Sequence, residues 1–307
     1  MLKLTKIELD LISDYQMYLM VEKGIKGGIS QCVTRYSKAN NKYLKNYDTT
    51  KEDNYLLYID ANNLYGWALS QKLPYKDLLF IDSNIRSLEE WEEIIKHYDE
   101  NDDDIGYIFE VDLEYPKELH DKHKDFPLAP EHYNKRLCTT LFDKKNYVIH
   151  VRNLKYYLEK GMISKSFNRV IEFKQSNFMK EYIDFNTNMR TKSKSDFEKD
   201  FYKLMNNAVF RKTMENVRNR IEVKLGDEES SYKFSKKSNF KGFKIFDKDC
   251  VATHFYKQKV KFNKPIYIGF SDLDLSKLLM YQFYYDKIKK YDPDLNLLYM
   301  DTDSFFL

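Results

Sequence analysis

The last nine residues, Tyr299-Met-Asp-Thr-Asp-Ser-Phe-Phe-Leu307, constrain the fold of this chain more than any other stretch. An apolar run (Leu297, Leu298, Tyr299, Met300) leads into Asp301-Thr302-Asp303, and a second run (Phe305, Phe306, Leu307) leaves it. Short aromatic-rich apolar runs predict buried strands. Asp-Thr-Asp between two of them predicts the tight turn of a hairpin. Two carboxylates at the tip of a buried hairpin repel each other and lose hydration, a cost that a cation between them would offset. Taken alone, the pair is better read as a solvated turn in which the acids only favour the bend.

Composition narrows the class. A chain of 307 residues can build one large domain or two smaller ones with a full core. Its formal net charge is +3, so no overall field marks a polyanion partner, and any nucleic-acid surface must be local. The 26 Tyr and 21 Phe supply both core and stackable surface. Three cysteines, Cys32, Cys138 and Cys250, are odd in number and far apart. That argues against a disulfide framework or a zinc site and fits a reducing compartment. With no signal peptide and no apolar run of about 18 residues, the expectation is a soluble intracellular protein without a membrane partner.

From the N-terminus, residues 13–23 predict a short helix with Ser13 as N-cap and Gly24 as stop. The segment Gly24-Ile-Lys-Gly-Gly-Ile-Ser-Gln31 follows, and its paired glycines permit close approach of backbone to a ligand. With Lys26 and the basic residues after it, the loop is a candidate grip on a phosphate backbone, or an ordinary turn. Residues 54–59 predict a strand that runs into Asp60-Ala-Asn-Asn-Leu-Tyr65. An acid at a strand end suits a metal ligand, because the strand fixes its direction; it suits an N-cap equally well. Ser87-Leu-Glu-Glu90 predicts a capping box. Residues 107–115 alternate, with Glu110, Asp112 and Glu114 on one face, which predicts a half-buried strand with a solvated acidic side. Asp112 and Glu114 also form a D-x-E pair of the kind that binds metal in nucleases. His120, His123 and His132 lie in a loop-like segment with no fourth zinc ligand in view.

Residues 177–220 contain no Gly or Pro and predict helix. Lys199, Lys203, Asn207, Phe210 and Arg211 fall on one helical stripe, with Phe201, Leu204, Met205 and Ala208 expected on the core side. Cations in a row followed by an aromatic suit a triphosphate and a base. They suit a solvated face as well. Residues 226–241 predict a mobile loop, and 251–262 and 265–270 predict strands. A long helix is expected from Asp272 to about Lys290, with Ser271 as its N-cap.

Three elements in this order carry more than any one of them. Asp60-Ala-Asn-Asn-Leu-Tyr65 resembles the D-x-x-x-L-Y motif of family B DNA polymerases. Lys203-Leu-Met-Asn-Asn207-Ala-Val-Phe210 resembles their K-x-x-x-N-x-x-Y, and Tyr299-Met-Asp-Thr-Asp-Ser304 their Y-x-D-T-D-S. The Gly27-Gly28 loop is similar to the Y-x-G-G of the protein-primed branch, with Ile25 in place of the Tyr. The wording is most similar to the organellar and viral type and to polymerases of Maverick/Polinton-like mobile elements.

The resemblance implies an α+β fold: a polymerase palm, meaning an antiparallel sheet with packed helices, plus helical fingers. It implies residues 1–75 as the N-terminal part of the palm, 76–176 as an insertion, 177–225 as fingers and 226–307 as the rest of the palm. It implies transfer of dNTPs to a primer 3′-OH with two Mg²⁺ ions. Asp60, Asp301 and Asp303 would be catalytic, with Asp60 and Asp303 as metal ligands. Lys199, Lys203, Asn207, Phe210 and Tyr65 would bind the nucleotide, and Lys26, Gly27, Gly28 and Arg211 the DNA. The partners would be a primer-template, dNTPs and, for the protein-primed branch, a terminal priming protein. Two departures stand out: Phe210 lacks the tyrosine hydroxyl, and Arg211 occupies a position where the pattern has Gly. Thumb and exonuclease domain are absent from the reading, so the expectation is a partial or decayed copy. The alternatives are an inactive nucleic-acid-binding remnant and a nuclease using Asp112 and Glu114.

Overall fold

The computed structural model describes residues 2–307 and divides into two compact units. The larger holds the residues up to Thr213 together with Pro265–Leu307; the smaller is Met214–Lys264.

The larger unit opens with α1 (Leu2–Thr5) and α2 (Tyr15–Gly24), then β1 (Ser30–Cys32), β2 (Tyr58–Asp60) and α3 (Leu64–Leu69). A longer run of elements follows: β3 (Leu73–Ile81), α4 (Leu88–His97), β4 (Ile105–Glu114), α5 (His120–His123), β5 (Glu131–Tyr133) and β6 (Arg136–Cys138). It continues through β7 (Lys144–His150), α6 (Val151–Glu159), β8 (Ile163–Ser176), α7 (Lys180–Lys192) and α8 (Asp196–Thr213). The smaller unit consists of β9 (Ile221–Gly226), α9 (Glu228–Ser235), β10 (Phe240–Asp247) and β11 (Cys250–Tyr256). The chain then re-enters the larger unit as α10 (Ile266–Gln282), a π-helical turn (Phe283–Ile288), α11 (Lys289–Tyr291), β12 (Tyr299–Asp301) and β13 (Ser304–Phe306).

Every ladder is antiparallel, so the fold is mixed α+β with antiparallel sheets and packed helices, as expected. Two sheets matter for the larger unit. One has the order β1-β12-β13-β2, all short strands; the other has the order β3-β8-β4-β7, with long ones. In the smaller unit β10-β11-β9 form a three-stranded sheet, with the Phe234 ring of α9 set edge-on to Phe255.

The core of the larger unit is organised around α10. Ile266, Tyr267, Ile268, Phe270, Leu275 and Leu278 are all buried, and apolar residues surround the helix instead of forming one stripe. Fully burying side chains of this size stabilises by about 1.5–3 kcal/mol each. This helix corrects two expectations. Residues 266–270 are helix, not strand: an apolar, β-branched run reads alike for a buried strand and a central helix, and Pro265 just before the helix fits the latter. Ser271 lies inside the helix, fully buried, and is not its cap. The capping box at Ser87 and Glu90 forms as expected, and the first long helix starts one residue later than expected, capped by Asp14. Residues 228–235, expected as loop, form α9, with Asp227 accepting from Ser230 N as its cap.

The acidic side of β4 is only partly solvated. Glu110 is buried and paired with Arg169 and Lys23, at 2.6 and 3.1 Å. Groups from α2, β7 and β8 partner the acids of β4, which alternation in one strand cannot reveal. Helix α8 also packs on a different side than expected. Asn206, Phe210 and Thr213 are its buried residues, while Phe201 and Leu204 are exposed. Asn186 of α7 donates to the Asn206 side chain at 2.9 Å and the Tyr182 hydroxyl to Met205 O at 3.1 Å, so polar bonds join α7 to α8 where an apolar stripe was expected.

Candidate active site

The four short strands bring the acidic elements together by register. Asp60 pairs with Ser304, Ser304 with Asp301, and Asp301 with Ser30. Directly opposed residues of an antiparallel sheet point to the same face, so Asp60 and Asp301 share one face across three strands. A second row on that face is Tyr58, Phe306 and Tyr299, whose rings pack at 4.7 and 6.4 Å. The opposite face carries Met300 and Phe305, both buried, with the Phe305 ring against Phe126, Phe283 and Tyr284. One face is therefore core and the other is open, and the carboxylates stand on the open one.

Asp301-Thr302-Asp303-Ser304 forms the expected hairpin turn, and it is strained. Thr302 takes a φ of 57°, a left-handed conformation that disfavours a β-branched residue by about 1–2 kcal/mol. The Asp303 amide donates back to Asp301 O at 2.6 Å, a bond across only two residues. Three contacts hold the turn in place. The Thr302 amide donates to Ile29 O at 2.7 Å, the Ala61 amide donates to Asp303 O at 2.7 Å, and the Ser304 hydroxyl donates to Asp301 O at 3.2 Å. The Gly27-Gly28 loop lies directly on it: a Cβ at Gly28 would stand 2.4 Å from the Thr302 hydroxyl oxygen. Gly28 is thus required by close approach, while space around Gly27 is open.

Asp60 does not cap the following helix. The residue before α3 is Asn63, left-handed at φ 60°, and the Asp60 carboxylate accepts instead from the Tyr58 hydroxyl at 3.0 Å. Partial burial pushes the Asp303 carboxyl above the usual range; Asp60 and then Asp301 add to the rise, and the Asp303 amide and Lys203 oppose it. The two acids therefore share one field, and Lys203 reaches it from α8.

Tyr65 stacks on Phe210, with centroids 4.3 Å apart and planes at 15°. Burial pushes the Tyr65 phenol up to about 12, aided by Asp272, Asp303 and Asp301 and opposed by Arg211. Tyr65, Phe210 and Arg211 are thus gathered near the carboxylates. Phe210 is itself buried under Tyr65, so its ring supports Tyr65 and is not free to lie on a base. Lys199 is exposed and bound to Asp196 at 3.1 Å; Asn207 is half-buried on the same helix.

One expectation fails on position. Lys26 is buried: its ammonium donates to Val148 O at 3.0 Å and lies 4.1 Å from the centre of the Tyr147 ring. Burial pulls its pKa down to about 8. It is a core cation, with no reach to a DNA phosphate. The second acidic pair is also engaged. Asp112 accepts from the Asn146 amide at 2.6 Å and from Asn168 at 3.1 Å, and Glu114 is paired with Lys165. That leaves no open D-x-E for a nuclease. His123 is hydrogen-bonded to the Tyr115 hydroxyl at 2.9 Å, and burial pulls it down to about 4.

Charged residues inside α10 escaped the sequence reading. Asp272 is fully buried with no partner for either carboxylate oxygen, Asp274 accepts from the His150 amide at 3.0 Å, and Lys277 is buried beside Asp274 at 3.7 Å. The signal was present: three ionisable residues in six positions interrupt an otherwise apolar helix.

Comparison with known proteins now bears on this geometry. The family described as DNA polymerase type B, organellar and viral, matches residues 8–290. The chain belongs to this family. Among solved structures, phi29 DNA polymerase with primer-template DNA matches at TM-score 0.53 and 15% identity, covering all of this chain. The orthorhombic crystal form of the same polymerase gives 0.54 and 16% over 99% of the chain. Its ternary complex with primer-template DNA and incoming nucleotides gives 0.52 and 17% over 99%. This chain spans 45% of the length of each of these phi29 chains. Comparison with curated proteins gives no match. No described helix is long and apolar enough to cross a membrane.

Proposed function

We propose that the chain provides the palm and fingers of a DNA-directed DNA polymerase. The reaction is attack of a primer 3′-OH on the α-phosphate of a dNTP, with release of pyrophosphate. In this reading residues 1–75 and 226–307 are palm, 76–176 an insertion and 177–225 fingers. The observation that carries the reading is the register that sets Asp60 beside the strained Asp301–Asp303 turn on the open face of the short-strand sheet.

Among the described residues no three Asp, Glu, His or Cys side chains stand as a group that could hold a metal ion. Asp60 and Asp303, with Asp301 beside them, instead suit Mg²⁺, which takes one or two carboxylates and keeps positions for water and phosphate. The rise in the Asp303 pKa, caused by burial first and by Asp60 second, fits a site that gains from a cation. When bound, two such ions would acidify the 3′-OH and neutralise the triphosphate. The protein's own groups then have separate tasks. Lys203, already within the field of Asp303, binds phosphate oxygens, and Lys199 joins it by leaving a surface pair that holds it weakly. Tyr65, fixed by its stack on Phe210, lies under the sugar and rejects a 2′-OH. Asn207 contacts the nucleotide and Arg211 the DNA strand. Gly27, with open space around it, admits the strand backbone. Primer-template DNA and nucleotides are bound by phi29 polymerase, which supports them as partners here, and the similarity of Gly27-Gly28 to the protein-primed branch supports a terminal priming protein.

Primer extension in Mg²⁺ tests the reading. Asp60→Asn or Asp303→Asn should lower incorporation by more than about 100-fold, the upper end of what loss of groups behind a metal ligand costs. Asp112→Ala should leave it unchanged. Incorporation that survives Asp303→Asn overturns the assignment.

A further inference from the structure

The mechanism above leaves a buried cation unused. Lys277 sits on the central helix α10 with almost no exposure, and its ammonium donates to two backbone carbonyls. One, at 2.7 Å, is Leu273 O of its own helix; the other, at 2.7 Å, is Lys26 O, the residue before Gly27. Asp274 lies 3.7 Å away and is itself fixed by the His150 amide, while its backbone carbonyl accepts from Asn153 at 2.7 Å. The Lys26 side chain is locked too, by Val148 O and Tyr147. Both sides of this peptide are thereby pinned to the core immediately ahead of the glycine pair.

From there the chain leads directly to the acids. Gly28 abuts Thr302 so closely that a Cβ could not fit, Ile29 O accepts from the Thr302 amide, and Ser30 pairs with Asp301. A left-handed threonine does not hold its geometry unaided; surrounding contacts must over-determine it. We propose that Lys277 is a positioning residue for the nucleotidyl transfer: through Lys26 O it seats the Gly27-Gly28 loop against Thr302 and so sets the Asp301–Asp303 turn. An ammonium buried in this way costs desolvation, which pulls its pKa down against the opposing field of Asp274. A plain apolar side chain would serve the core at lower cost, which is the mark of a group retained for placement.

The activity arm of this inference rests on the polymerase reading; the structural arm does not. Lys277→Met keeps the stem and removes the donor. Lys277→Arg keeps the charge but replaces a compact three-donor group by a planar fork that does not reproduce the pair of carbonyl bonds. Gly28→Ala disturbs the same loop from the other end. Amide hydrogen exchange of Thr302, referenced to β4 amides, reads the seat directly. Exchange at Thr302 should quicken at least about tenfold in both Lys277 variants while β4 is unchanged, the pattern of local opening. In primer extension, Lys277→Met and Gly28→Ala should each lower kcat by roughly 10–100-fold with little change in dNTP KM, as for misplacement on the ångström scale. The double variant should lose no more than the worse single one, because both act through one loop.

Unchanged Thr302 exchange in a folded Lys277 variant overturns the proposal, as do multiplicative losses in the double variant. Should Lys277→Met not fold, the Arg variant decides by the same exchange measurement. A wild-type chain without primer extension would count against the polymerase reading alone, and the Thr302 amide would still decide the role of Lys277.

Discussion

The two sheets of the larger unit each carry a pair of acids two residues apart, and they treat those acids in opposite ways. On β4, Glu110 meets Arg169 and Lys23, Asp112 meets a backbone amide and Asn168, and Glu114 meets Lys165. On the short-strand sheet, Asp301 and Asp303 face Asp60 and share one field with it, with Lys203 the cation opposing the rise at Asp303. The first arrangement spends carboxylates on holding strands together. The second leaves negative charge concentrated on an open face, at a turn whose backbone is strained. Acids engaged by protein groups have little left for a ligand; acids that repel each other keep lone pairs open to one.

Stability measurements sharpen this contrast, and the largest effect is expected at β4. Glu110→Ala should destabilise by about 1–3 kcal/mol, because it leaves Arg169 and Lys23 without their buried acceptor. Burial alone would raise the Glu110 pKa, but Arg169 and Lys23 hold it below the usual range. Its contribution is therefore present above the unfolded pKa and fades as pH falls through the folded one, so urea midpoints of wild type and variant should converge in acid. Equal midpoints at neutral pH would break the contrast.

A smaller and opposite effect is expected at Asp272, the acid in α10 with no partner. Burial pushes its carboxyl well above the usual range. Folding is then opposed once pH exceeds the unfolded value of about 4, and the loss grows as pH rises toward the folded pKa. Asp272→Leu should stabilise by about 1 kcal/mol at neutral pH and by much less near pH 4. A variant less stable than wild type at pH 7 would reveal a partner for this carboxylate.

The smallest effect is expected at Asp303. Its raised pKa has the same sign, so Asp303→Asn should gain stability as pH rises, by less than about 1 kcal/mol because the group stays partly wet. With Mg²⁺ added the order should reverse, wild type gaining midpoint and the variant not. Equal Mg²⁺ responses would remove Asp303 from the site.

Much of this was legible in the sequence because it depends on local rules. A capping box needs only Ser87 and Glu90 three residues apart. The Asp301–Asp303 hairpin needs two short apolar runs and a turn. The order of three motifs was enough to resemble a polymerase family, and the chain belongs to that family. Gly28 could be singled out because a glycine pair announces close approach, though not what approaches.

What only the tertiary structure decided is what lies opposite each residue. Whether Lys26 reaches solvent or the Tyr147 ring depends on a strand more than 100 positions away. Whether an acid on β4 meets water or a cation depends on side chains such as Lys23 and Arg169 brought across it from distant elements. Whether residues 265–270 are strand or helix depends on being surrounded, since an apolar segment carries no period to tell the two apart. The terminal hairpin combines both kinds of information. Its acids and its turn are local, whereas their union with Asp60, Gly28 and the ammonium of Lys277 is made by strand register and by a helix that the chain reaches only after the smaller unit is complete.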